Sequence, residues 1–112
     1  MLKKYDDKAG RAAGWKGMVE AKKSGKVKSI GVSNFTIRHL LEIKAMGLGM
    51  PAVNQVEMNA FYQQPELKAF CDSENIILTA YAPLTAPGLT KGKFLKDERL
   101  AAIAKKHNKT AA

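Results

Sequence analysis

Three short apolar stretches recur along the chain, each bounded by turn-forming residues. They are KVKSIGV (Lys26–Val32), PAVNQVEM (Pro51–Met58) and NIILTAYAPL (Asn75–Leu84). Each carries β-branched or aromatic residues, the composition of a strand. Between them the apolar positions fall at helical spacing. NFTIRHLLEIKAMG brings Ile37, Leu40, Leu41 and Lys44 to one side, with Gly47 as a stop. QQPELKAFCDSEN opens near Pro65 and puts Leu67, Phe70 and Cys71 on one face, where the thiol reads as packing. Ahead of the first strand, GWKGMVEAKKSG aligns Trp15, Met18, Val19 and Lys22. After the third, DERLAAIAKKHNKT aligns Leu100, Ile103 and Ala104.

The predicted order is therefore α-β-α-β-α-β-α. Strands alternating with helices at this spacing form right-handed βαβ units and a parallel sheet. The fold class is α/β, with three parallel strands and flanking helices. Parallel strands need helices over their faces or closure into a barrel. A closed (β/α)8 barrel takes about 250 residues, and this chain has 112. No low-complexity linker divides it, so a single domain over residues 1–112 is expected, with residues 1–14 poorly ordered.

Composition narrows the function classes. No apolar run approaches the roughly 20 residues of a membrane helix, and the start of the chain lacks an apolar leader. The single cysteine, Cys71, has no intramolecular partner, so the cytoplasm is the default compartment. The net charge of +9 resolves into +6 over residues 1–30, −2 over residues 31–83 and +5 over residues 84–112. Nucleic-acid binders more often carry a basic stripe interleaved with aromatics. Lysines gathered mainly in the flanks read as solvated faces, so neither nucleic acid nor membrane is expected as a partner.

Ligands of parallel α/β folds bind at the carboxyl ends of the strands. The first end offers Ser33 and Asn34, the second Gln55, Glu57 and Asn59, the third Tyr81, Pro83 and Leu84. Amide side chains both donate and accept. Two amide-bearing ends and an aromatic ring suit a flat heterocyclic carboxamide, and the helix after Asn34 adds free N–H groups for an anion. For Ser33 and Asn34 taken alone, a plainer reading is the favoured one. Ser33 or Asn34 is a good N-cap for that helix, worth about 1 kcal/mol. Gln55 sits in an apolar strand, and its side chain is expected on the face opposite Val53 and Val56. A lone buried Gln costs energy unless it finds a partner, which favours a ligand there. Tyr81 by itself reads more readily as core packing than as a stacking platform.

The motifs GKVKSIGVSNF, PAVNQVEMN, FCDSENIILTAYAPL and LAAIAKKHNKT resemble, in order and spacing, those of the aldo-keto reductases, over roughly Trp15 to Ala112. The resemblance implies part of a (β/α)8 TIM barrel and NADPH-dependent reduction of aldehydes or ketones, small carbonyl compounds. It implies that Ser33, Asn34 and Gln55 hold the nicotinamide carboxamide and that Tyr81 stacks on the ring. It also implies that Leu84 and the residues after it strap the pyrophosphate. One turn would then serve as both cap and ligand site.

The family's catalytic Asp, Tyr, Lys and His belong upstream of the segment that matches Trp15. The eighth strand and the loop that grips the adenosine 2′-phosphate belong beyond KHNKTAA. No catalytic residue is therefore assigned, no metal site is expected, and the chain is expected to be inactive alone. Tyr5, Tyr62, His39 and His107 form no Tyr–Lys–Asp constellation, although Tyr62 could line a substrate pocket. The alternative is a non-catalytic half-barrel that self-associates or pairs with the missing barrel half.

Overall fold

The computed structural model describes residues 7–84 and 94–112. The element order is helix α1 (Lys8–Lys23), strand β1 (Gly31–Ser33), helix α2 (Ile37–Ala45), strand β2 (Val53–Glu57), helix α3 (Pro65–Ser73), strand β3 (Ile77–Tyr81), a 3-10 turn (Phe94–Lys96) and helix α4 (Glu98–Lys106). The strands form one parallel sheet in the order β1-β2-β3. The chain divides into two compact units, one comprising residues 1–56 and 64–79, the other residues 57–63 and 80–112.

In the first unit, α1 starts well before the predicted Trp15 segment. Asp7 caps it by accepting from the Gly10 N–H. Residues 8–14, expected to be poorly ordered, are thus helical. The reason lies in Arg11. It is buried on the inner face and clasps Glu42 of α2 with two hydrogen bonds, Nε to Oε2 at 2.8 Å and Nη2 to Oε1 at 3.0 Å. Burial pushes the Glu42 carboxyl up, but the Arg11 hydrogen bonds and charge outweigh it. With smaller contributions from His39 and Arg38, the group ends below its ordinary value. The ion pair therefore stays charged while it joins the two helices.

Trp15 and Val19 of α1 pack on Ile43 of α2, with Ile30, Val32 and Phe35 half-buried beside them. Leu40, Val56, Leu67, Cys71 and Ile76 are also buried. Leu41, placed on the α2 core face by the sequence reading, is 48% exposed, and Ile43 is the residue that packs. Burial pushes the Cys71 thiol up, which suits the packing role expected of it.

β1 is shorter than the predicted Lys26–Val32. Val27 is exposed, and pairing begins only at Gly31, opposite Val53. That glycine is required by proximity. A Cβ added there would lie 2.8 Å from the Val53 carbonyl oxygen, which belongs to backbone and cannot swing away. Gly31→Ala is expected to destabilise by about 1–3 kcal/mol, the cost of overpacking. Gly17, on α1, has no neighbour within 4 Å of an added Cβ. Gly17→Ala should instead stabilise by roughly 0.5–1 kcal/mol, because glycine is a poor helix former. Melting the two variants beside the parent protein checks both signs at once.

In the second unit, Asn59 and Tyr62 exchange backbone hydrogen bonds at 3.0 Å in both directions, closing a tight turn. Phe61 meets Phe94 edge to face at 5.1 Å, and the Arg99 guanidinium lies 4.4 Å from the centre of the Phe61 ring. Asp97 caps α4 by accepting from the Arg99 N–H at 2.9 Å. The Arg99 side-chain hydrogen bonds hold the Asp97 carboxyl at about 2. Of the predicted α4 core face, Leu100 and Ala104 are half-buried and Ile103 is 58% exposed. His107 follows the last turn as the C-cap.

Candidate functional site

The carboxyl ends of β1 and β2 lie side by side, with Ser33 opposite Gln55 in the parallel register. The Gln55 carbonyl oxygen gathers the end of β1. It accepts from the Ser33 hydroxyl at 2.9 Å and from the Asn34 N–H at 2.9 Å. Asn34 then takes a left-handed conformation, φ 58°, which asparagine tolerates better than most residues. That conformation turns the chain out of the strand toward α2.

Neither Ser33 nor Asn34 caps the helix, contrary to the sequence reading. The cap is Thr36, in the extended conformation an N-cap needs, φ −78° and ψ 168°. His39, at the third helical position, returns the interaction by accepting from the Thr36 N–H at its Nδ1, 3.3 Å away. Ser33 is committed to Gln55 and Asn34 to the turn, so capping falls two residues later.

The turn is held from below by a residue the sequence reading passed over. Asn54 is fully buried, and its side-chain amide spans the backbone of Phe35. Nδ2 donates to the Phe35 carbonyl at 2.8 Å, and Oδ1 accepts from the Phe35 N–H at 3.3 Å. Asn54 also hydrogen-bonds the Cys71 thiol. A polar residue inside a buried strand was the available signal, since such groups need partners. The reading attached that reasoning to Gln55, one position too late.

Gln55 itself is exposed, as are Ser33 and Asn34. Along β2 the buried residues are Asn54 and Val56, so Gln55 shares a face with Val53 and Glu57. Its expected burial, and its expected place opposite Val53, are both corrected. An open cleft of about 480 Å³ adjoins the turn, lined by α1 residues including Trp15 and Met18 and by the Gly31–Phe35 segment.

Tyr81 and Leu84 belong to the second unit. Tyr81 closes β3, 37% exposed, and its carbonyl accepts from the Met58 N–H at 3.3 Å. Ala82 follows with φ 50°, a left-handed conformation that turns the chain sharply, and Leu84 is exposed. The residues after Leu84 expected to strap a pyrophosphate, 85–93, and Tyr5 lie outside the described residues. Among the described residues no cluster of His, Cys, Asp and Glu could hold a metal ion. No helix among them is long and apolar enough to cross a membrane.

A parallel sheet with helices between its strands defines an α/β fold, and comparison with known proteins specifies which one. The aldo/keto reductase family model matches residues 4–111, and the chain belongs to that family. It is 47% identical over 98 residues to aldose reductase B of Dictyostelium discoideum, covering 88% of this chain and 30% of that protein. It is 44% identical over 98 residues to the 9,11-endoperoxide prostaglandin H2 reductase of Trypanosoma cruzi, covering 88% and 34%. Among solved structures, an aldo-keto reductase enzyme from a Medee basin deep-sea metagenome library superposes with a TM-score of 0.85 at 37% identity, over 94% of this chain and 38% of that one. A mutant of Gox0644 in complex with NADPH matches at a TM-score of 0.76 and 45% identity, over 87% and 34%. The chain thus spans about a third of the length of these relatives. The expected fold class, three parallel strands with flanking helices as part of a TIM barrel, agrees with these matches.

Proposed function

We propose that this chain supplies the nicotinamide-holding part of an NADPH-dependent aldo-keto reductase acting on small aldehydes or ketones. Ser33, Asn34 and Gln55 would hold the carboxamide. By the family resemblance, Tyr81 would stack on the ring and Leu84 would contact the pyrophosphate. The observation that carries this reading is the Ser33–Gln55 register at the sheet's carboxyl end. Both turn-forming contacts use the Gln55 carbonyl, and Gln55 itself is exposed, as are Ser33 and Asn34. A carboxamide needs donors and acceptors in one plane, and amide side chains offer both. When bound, the cofactor supplies the hydride, and these residues bind and orient its ring.

The test is thermal unfolding of the chain with and without excess NADPH. A ligand that binds only the folded state stabilises it by about 2.7 kcal/mol at 100-fold over Kd, or several degrees for a domain of this size. The midpoint is expected to rise, and Gln55→Ala should remove most of the rise without lowering the midpoint of the unliganded protein. No rise in the parent chain would overturn the reading. The resemblance places the family's proton donor upstream of the matched segment. Carbonyl-dependent oxidation of NADPH by the isolated chain is therefore expected to stay at the blank rate.

A further inference from the structure

We propose that the outer edge of β1, with the cleft beside it, is a docking site for an extended peptide strand with an apolar core and acidic ends. β1 stands at one end of the sheet order β1-β2-β3, and among the described residues no strand pairs with its far side. The main-chain groups of successive strand residues point to opposite edges. The Ile30 carbonyl accepts from the Ala52 N–H at 2.9 Å, and the Asn34 N–H donates to the Gln55 carbonyl at 2.9 Å. Residues 30, 32 and 34 therefore turn their main-chain groups toward β2. The N–H and C=O of Gly31 and Ser33 face the other way, and such a row is a template for a further strand.

The surroundings suit an incoming chain. Gly31 has no side chain to hold a neighbour off, and the Ser33 hydroxyl is turned to the Gln55 carbonyl. The open cleft of about 480 Å³ is lined by this same edge and by α1. Trp15, Met18, Val32 and Phe35 give it an apolar wall. In strand addition, main-chain hydrogen bonds give affinity and pockets for alternate side chains give specificity. Both are present here.

Charge selects the occupant. Lys26 and Lys28 directly precede β1, and Lys8 and Lys16 stand on α1. All four are exposed, and none has an acidic partner among the described residues. Glu20 is the only acidic residue of α1, and residues 1–30 carry a net +6. Acidic ends on the incoming strand complement this charge. A second copy of the chain would bring the same lysines to the same edge, and like charges brought together suppress a partner. The site uses the main chain of β1 and the wall of α1, so it does not rest on the cofactor reading.

The test is amide hydrogen exchange of the chain with three synthetic peptides. One alternates valine and threonine and has two glutamates at each end. The second has lysines at the ends instead. The third is the glutamate peptide N-methylated throughout its core, so that it cannot donate to a ladder. With the first, exchange at Gly31 and Ser33 should slow by about tenfold at about tenfold over Kd. Val32 and Asn34, already turned to β2, should change little. The other two peptides should leave Gly31 and Ser33 as they were. The double variant Lys26→Glu, Lys28→Glu should lose most of the preference for glutamate ends. No slowing at Gly31 and Ser33 with the glutamate peptide would overturn the site. Equal slowing with the lysine peptide would overturn the acidic occupant. Slowing without any peptide, growing with the concentration of the chain, would give the edge to a second copy and refute the proposal. Thermal unfolding with NADPH reports on the cofactor reading separately, and a failure there leaves the exchange result standing.

Discussion

Trp15→Ala is expected to abolish cooperative unfolding of the chain. The ring is 1% exposed and joins Val19 and Ile43 in the core between the first two helices. Large-to-small substitution of a buried aromatic costs about 3–5 kcal/mol, because the transfer energy is lost and a cavity remains. Stabilities of whole domains are about 5–15 kcal/mol, and a domain of 112 residues belongs low in that range. Circular dichroism through a thermal ramp should show a sloping loss of signal in place of a transition. Trp15→Phe separates ring volume from ring chemistry. The indole N–H has no acceptor among the described residues, so replacing it gives up no hydrogen bond. Phe should retain a transition that Ala loses. A sharp transition within a few degrees of the parent for Trp15→Ala would mean the core does not rest on this residue.

The second large effect is expected at Asn54. Asn54→Ala leaves both the N–H and the C=O of Phe35 without the amide that held them. It also opens space at a fully buried position. An unsatisfied buried polar group costs about 1–3 kcal/mol, so a two-ended clamp should cost at least that and more once the cavity is included. Asn54→Asp is the sharper probe. It preserves the shape and the acceptor but removes the Nδ2 donor and introduces a charge where burial disfavours one. Its midpoint should fall further as pH rises through the carboxylate range, since the protonated acid is the form a buried site tolerates. Denaturant titration of both variants at two pH values measures this. Asn54→Ala unchanged in stability would remove the clamp from the account of the turn.

The order of elements was legible because helical and strand periodicities differ and turn formers separate them. Boundaries were legible only where an apolar residue marked them. α1 was read from Trp15 because the residues before it are mostly alanine and glycine, which carry no periodicity. Its true start is announced by Asp7 as cap and by Arg11, a charge that becomes an inward-facing residue only once Glu42 is folded opposite it. The Lys26–Ile30 segment alternates like a strand yet has no partner strand to pair with until Gly31 meets Val53. The cap of α2 was misplaced because Ser33, Asn34 and Thr36 all have capping side chains. What separates them is tertiary, since the Gln55 carbonyl claims the first two.

The face of β2 was misread for a related reason. Its buried side carries Asn54 and Val56, one polar and one apolar, and this hides the alternation that normally reveals the inward face. The amide-rich strand ends could be seen in the sequence. The buried amide that shapes them could not be assigned a partner until the Phe35 backbone came over it.

The double use of Gln55 bears on how such a site can change over generations. Its main-chain carbonyl ties down Ser33 and Asn34, while its side chain faces outward. Every amino acid brings the same carbonyl. Position 55 can therefore drift through many side chains and leave the turn standing. What position 55 presents to solvent at this strand end is heritable separately from the fold that holds the turn.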